Sequence, residues 1–332
     1  MNSVRIRPSV VLAAVLACAL ALLNQTLVAQ RAAAAVPHVH FVATGGTISN
    51  RDGGRLTAEE LTRNMPGVER YARVTYEQFS NVASSELSLP QWLQLSKRVN
   101  EVFASDKELA GIVVTSGTDT LEETAFFLHL TVRDPRPVVV VGSMRNPSTI
   151  GYEGAANLLE GVRVAADPKS RNKGALVVLN DEINSARNVT KTDALRLQTF
   201  RSREYGQLGV VDRDRVVYFN QITQRHNDQV EFDLSKVTEL PRVDVIMVYQ
   251  GAPADLIKAA VDNGAKGIVI AVAGARDGAP PQSPPATPEQ QRRRQFTIAG
   301  EDHTPIKARV LLMVALTKTQ NRDELQRIFS EY

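Results

Sequence analysis

The chain has 332 residues, 43% of them apolar and only 5% aromatic, a composition that describes a Val-, Leu- and Ala-packed globular protein and excludes a disordered chain or a disulfide scaffold. Three arginines and no acidic residue fall within residues 1–35, leaving 36 basic and 36 acidic residues in the remainder; a broad basic field for nucleic acid is thereby excluded. The one cysteine, Cys18, lies in the same leader, so residues 36–332 hold no disulfide, thiolate nucleophile or thiolate metal site.

Taken in chain order, Arg5 and Arg7 precede an apolar run at 10–23 and small residues at 32–35, the three-part pattern of a secretory signal peptide. The run is short for a membrane span of about 20 residues. Cys18 offers a lipoprotein alternative, but the apolar run continues past it. The expectation is export: residues 1–35 removed, no retained membrane span, and a periplasmic or secreted product.

Beyond the leader, short β-branched runs at 40–43, 111–115, 137–142 and 175–179 predict strands. Helical patterns at 87–103, 121–132 and 154–166 lie between them. Such alternation implies an α/β fold with a mainly parallel sheet. Thr120 with Glu123, and Asp119 with Glu122, have the spacing of a helix-opening capping box. A boundary near residues 235–241 divides a larger N-terminal domain (36–236) from a smaller α/β C-terminal domain (237–332). The latter shows strand patterns at 243–249 and 267–272, a helical pattern at 255–263, and C-terminal helices at 306–316 and 323–329. Five prolines in the segment 279–288 exclude a helix or central strand there, since each removes a backbone donor. The run Arg292-Arg293-Arg294 reads as a solvated surface. The five histidines, His38, His40, His129, His226 and His303, show no ligand spacing with carboxylates, which argues against a metal hydrolase.

Two Gly-Thr loops follow predicted strands: Phe41-Val42-Ala43-Thr44-Gly45-Gly46-Thr47-Ile48 and Val113-Val114-Thr115-Ser116-Gly117-Thr118-Asp119-Thr120. Open α/β sheets place their chemistry at such strand ends. Gly45 and Gly46 give a substrate access to Thr47 and let backbone N–H groups converge on an anion. The same residues also suit a tight strand-to-loop turn. Asp119 and Thr120 suit helix caps, and Lys191 suits a solvated surface. A threonine hydroxyl needs proton removal before it attacks; Lys191, in Val189-Thr190-Lys191-Thr192, would supply a relay if it sits beside Thr118 and Asp119. Three such signals at successive strand ends favour an amidohydrolase. Gly45-Gly46 lacks the glycine spacing of a dinucleotide fold.

These motifs resemble the bacterial L-asparaginases, the exported (type II) branch in particular. Supporting segments are Val141-Gly142-Ser143-Met144-Arg145, Tyr205-Gly206-Gln207-Leu208-Gly209 and Lys307-Ala308-Arg309-Val310-Leu311-Leu312. The resemblance covers nearly all of residues 38–332. It implies a homotetramer that hydrolyses the side-chain amide of L-asparagine to aspartate and ammonia without a cofactor, with L-glutamine as a second or competing substrate. It also implies Thr47 as nucleophile and Thr118, Asp119 and Lys191 as the second catalytic group. Ser84 and Ser85 would bind substrate, Ser84 at its α-carboxylate, with Thr118 lining the site and Asp119 accepting from its α-amino group.

The chain departs from the family pattern in three places. Arg51 stands where a mobile lid carries a tyrosine, in the stretch Asn50-Arg51-Asp52-Gly53-Gly54-Arg55. Ser85 and Ser116 stand where a glutamine and a histidine are usual. Residues 273–295 are short and proline-rich where a helix and strand are expected; Glu289 is the nearest candidate for the acidic residue that reaches a neighbouring subunit's site. These departures keep open a second class, a non-catalytic amino-acid-binding or structural relative.

Overall fold

A strand covered on both faces needs apolar side chains at every position, which is why the central strands read as unbroken Val/Ile runs. The computed structural model describes residues 36–272, Pro288, Arg292 and 295–332. Its first half runs β1 (His38–Gly45), β2 (Asn50–Arg51), β3 (Gly54–Arg55), α1 (Ala58–Arg63), β4 (Arg73–Val82), α2 (Leu89–Ser105), β5 (Leu109–Thr115), α3 (Leu121–Thr131), β6 (Val138–Val141) and α4 (Gly154–Ala166). There follow β7 (Ala175–Leu179), β8 (Glu182–Ser185), β9 (Thr190–Lys191), β10 (Phe200–Arg201), β11 (Gly209–Val211) and β12 (Val216–Tyr218). The chain closes with β13 (Val243–Met247), α5 (Asp255–Asp262), β14 (Gly267–Ala271), α6 (Pro305–Ala315) and α7 (Arg322–Glu331). The segment 1–35, Glu289 and all of 279–288 except Pro288 lie outside the described residues.

Eight strands form one sheet in the order β12-β11-β8-β7-β6-β5-β1-β4. The pairs β4–β1, β1–β5, β5–β6 and β6–β7 are parallel, and β8, β11 and β12 extend the sheet antiparallel. The α/β class with a mainly parallel sheet is therefore as the alternation implied. Alternate side chains divide between two cores. Val113, Val139, Val141, Leu176 and Val178 pack with Leu158 and Val162 of α4 on one face. Ile112, Val114, Val138, Val140 and Val177 meet Leu95 and Val99 of α2 and Leu121 and Leu128 of α3 on the other. Each such buried side chain contributes about 1.5–3 kcal/mol.

Helix α3 is buried on both sides, because Phe126, Phe127 and Leu130 also pack against Val310, Leu311, Met313 and Val314 of α6 and Ile328 and Phe329 of α7. Strands β13 and β14 form a separate parallel pair, tied to α6 where Arg309 Nε donates to the Val243 carbonyl at 3.0 Å. Strand β4 lacks an apolar run because it is the sheet's edge, with Arg73 and Glu77 at or near the surface. The expected capping box at α3 is not formed: Thr120 holds the N-cap position without a side-chain cap bond. Its hydroxyl and the Glu122 carboxylate are used between loops instead.

Candidate active site

Because β1, β4 and β5 run parallel, the loops that leave them emerge at one edge of the sheet. Thr44 and Thr115 lock the ends of β1 and β5: Thr44 N–H donates to Thr115 Oγ1 at 3.1 Å and Thr44 Oγ1 donates to the Thr115 carbonyl at 2.5 Å. Gly46 N–H donates to the Val82 carbonyl of β4 at 2.9 Å. Gly46 has φ +88°, and a Cβ there would overlap the Gly117 backbone. A Cβ on Gly117 would in turn lie 2.8 Å from Ser84 Oγ. Glycine at 46 is thus required twice, by its positive φ and by the close approach of a second backbone. The three loops carrying Thr47, Thr118 and Ser84 are in mutual contact, and Thr120 Oγ1 donates to the Ser84 carbonyl at 3.1 Å to tie two of them.

Thr47 opens a one-turn 3-10 segment, Thr47–Ser49, and is part-buried between buried Gly46 and Ile48. Thr118 is buried. Lys191 reaches it from β9: its Nζ donates to Thr118 Oγ1 at 3.0 Å and to Asp119 Oδ1 at 3.1 Å. The lysine side chain is 16% exposed and the aspartate 76%, so the pair spans from the protein interior to the open cleft. Such a charge pair, half out of solvent, interacts more strongly than one on the surface. Lys191, Thr118 and Asp119 are therefore brought together, with Thr47 and Ser84 on the adjoining loops. Ser85 is exposed on the turn Ser84–Glu86, and Ser116 is buried with its hydroxyl donating to the Gly117 carbonyl at 3.3 Å.

Two residues that hold Lys191 escaped the sequence reading. Glu122, almost fully buried, accepts through Oε1 from Lys191 N–H and Thr190 Oγ1, both at 3.1 Å. Lys307 of α6, 1% exposed, donates to the carbonyls of Ala186 and Arg187 at 2.8 Å each, and to that of Val189. Burial brings the Lys307 pKa down to about 7, against the opposing pull of Glu122 and with a further push from Arg187. All three ammonium donors are spent on the backbone immediately before Thr190 and Lys191. One signal was available: Lys307 shares its helix face with Val310, Leu311 and Val314, where a lysine has no solvent to reach.

The hairpin β2–β3 stands over this edge. Arg51 is exposed and paired with Glu60 at 3.1 Å, while Asp52 N–H donates to Ser148 Oγ at 2.9 Å. Arg55 Nη1 donates to the Gly46 carbonyl at 3.3 Å. Among the described residues, no group of three or more His, Cys, Asp or Glu side chains is placed to hold a metal ion. No helix among them is long and apolar enough to cross a membrane.

The family model described as "Asparaginase, N-terminal" matches residues 38–224. The chain is 41% identical to L-asparaginase 2 of Bacillus subtilis, over 90% of this chain and 87% of that protein. It is 36% identical to L-asparaginase 2 of Escherichia coli, over 91% of this chain and 95% of that one. A crystal structure of a probable cytoplasmic L-asparaginase from Campylobacter jejuni superposes with a TM-score of 0.80 at 33% identity, over 89% of this chain and 100% of the other. With a matching family model across more than half its length and relatives 41% and 36% identical over 90% and 91% of it, the chain belongs to the asparaginase family.

Proposed function

We propose that the chain hydrolyses the side-chain amide of L-asparagine to L-aspartate and ammonia. The observation that carries this reading is the contact of Lys191 Nζ with Thr118 Oγ1 at 3.0 Å and Asp119 Oδ1 at 3.1 Å, at the sheet edge from which Thr47 also emerges. Thr47 Oγ attacks the amide carbon and the C–N bond breaks. The proton lost by Thr47 leaves with ammonia, and an ester of Thr47 remains. Water then adds to the ester carbon, its proton returns to Thr47 Oγ, and aspartate departs. Thr118, receiving a hydrogen bond from Lys191, keeps its own hydroxyl proton free to shuttle in both halves. Asp119 is the exposed carboxylate for the substrate's ammonium, and Ser84, with Ser85 beside it on the same turn, faces the α-carboxylate.

The finer assignments belong to the same proposal. The leader's basic, apolar and small-residue order supports an exported, type II enzyme acting in the periplasm or outside the cell. Residues 36–236 and 237–332 serve as larger and smaller units, a division supported by the separate β13–β14 sheet. The working assembly is a homotetramer, and L-glutamine is the competing substrate.

The test is ammonia release by purified protein from residue 36 onward, on L-asparagine and L-glutamine, beside Thr47→Ala. Turnover abolished in the variant is expected. A folded wild-type protein without turnover on either amide leaves the non-catalytic binding relative as the better reading.

A further inference from the structure

Thr47 sits in a turn only three residues long, too short to fix its own orientation. Each of the two carbonyls that bracket it accepts a hydrogen bond from a side chain outside the turn. The Gly46 carbonyl accepts from Ser49 N–H at 3.2 Å, Ser49 Oγ at 3.1 Å and Arg55 Nη1 at 3.3 Å. The Ile48 carbonyl accepts from the Tyr152 hydroxyl at 2.8 Å, from 104 residues away in sequence.

Tyr152 is firmly mounted. It lies just before α4, where the Glu153 carboxylate accepts from Met144 N–H and from Arg145 N–H, the latter at 3.3 Å. Its ring lies back over Gly154, where a Cβ would overlap the phenol. Burial raises the phenol pKa above its ordinary value, with Glu153 adding to the rise, so the hydroxyl stays a donor throughout the working pH range. Gly154 opens α4, and its lack of a side chain leaves the room that the ring occupies.

We propose that Tyr152 is a positioning residue for the nucleophile: by donating to the Ile48 carbonyl it fixes the Thr47–Ser49 turn and aims Thr47 Oγ at the amide carbon. This rests on the reading of Thr47 as nucleophile. Tyr152 acts through the backbone and touches neither substrate nor the reacting atoms. Losing its hydroxyl should lower the fraction of bound substrate met in an attacking geometry, an effect on kcat and not on binding.

The experiment compares Tyr152→Phe, Gly154→Ala, the double variant and Thr47→Ala by steady-state ammonia release from L-asparagine and by thermal unfolding. Expected for Tyr152→Phe is a fall in kcat of about five- to tenfold, the worth of one neutral hydrogen bond, with KM within about twofold and a melting temperature lower by a few degrees, because the buried Ile48 carbonyl loses its donor. Gly154→Ala should lower kcat similarly by displacing the phenol, and should add less than about twofold in the Tyr152→Phe background, since both act through one hydroxyl. A Tyr152→Phe kcat within about twofold of wild type, a change in KM alone, or full additivity with Gly154→Ala overturns the proposal while Thr47→Ala remains inactive. Turnover retained by Thr47→Ala overturns the nucleophile reading instead, and Tyr152's role with it.

Discussion

The Lys191 ammonium donates to the Thr118 hydroxyl at 3.0 Å across 73 residues of sequence. This contact joins a short strand beyond the antiparallel part of the sheet to a loop after its parallel centre. Lys191→Met should therefore lower kcat by about a hundredfold or more, the range for losing a proton-transfer group. Lys191→Arg keeps charge but presents a planar fork in place of a single point donor, so it should recover only part of the rate. Ammonia release, with circular dichroism to verify folding, checks both.

Gly46→Ala places a Cβ against the Gly117 backbone at a φ of +88°. Gly46 N–H is held to the Val82 carbonyl at 2.9 Å, and the Thr44–Thr115 bonds lie two residues upstream of both glycines. The variant should lose about 2 kcal/mol or more of stability and nearly all turnover. Urea unfolding and activity, measured together, decide it.

Lys307→Met keeps most of the volume of the buried side chain but leaves the carbonyls of Ala186, Arg187 and Val189 without their donor. Unsatisfied buried acceptors cost about 1–3 kcal/mol each. A loss of about 3 kcal/mol in chemical unfolding is expected, with residual kcat falling further than KM rises because Lys191 is held next to this segment.

Glu160 of α4 accepts from Asp181 N–H at 3.1 Å. Burial, then its hydrogen bond and charge repulsion with the Asp181 carboxylate, push its pKa up to about 8 from 4.5. Between these values the unfolded chain gives up a proton that the folded chain retains. Stability is therefore fully present below about pH 4.5 and declines as pH rises toward about 8. Glu160→Gln removes this titration while keeping an acceptor for Asp181. It should stabilise the protein at pH 8 relative to pH 5 by about 1–2 kcal/mol more than wild type, after allowing for solvent screening. Melting temperatures at the two pH values give the answer; an equal shift at both would remove Glu160 as the cause.

Arg51 is exposed and engaged with Glu60, and an exposed ion pair of this kind is worth about 0–1 kcal/mol. Arg51→Ala should leave kcat and KM within about twofold of wild type. A larger loss of kcat would give the hairpin residue a direct part in the reaction.

The strands at residues 111–115 and 175–179 and the helices at 121–132 and 154–166 were legible because periodicity and β-branched runs report on nearest neighbours. Strand β4 was not, since an edge strand half in water carries no continuous apolar signal. The Gly-Thr motifs pointed to Thr47, Thr118 and Asp119 because glycine beside a strand end is a local feature. Glu122 was misread for the same reason: its position in a first helical turn suits a cap equally well, and only the fold turns it toward Lys191, 69 residues on.

The amino-acid sequence by itself determined the alternation of strands and helices, the Gly-Thr loops and the family resemblance, all of which rest on interactions between residues close in the chain. The tertiary structure decided which distant groups meet: Lys191 with Thr118, Tyr152 with Ile48, and Lys307 with the carbonyl of Ala186, 121 residues away. Those pairings follow from strand order and from burial. A carbonyl or ammonium removed from water must find a partner wherever the sheet and helices bring one, and no local pattern records where that will be.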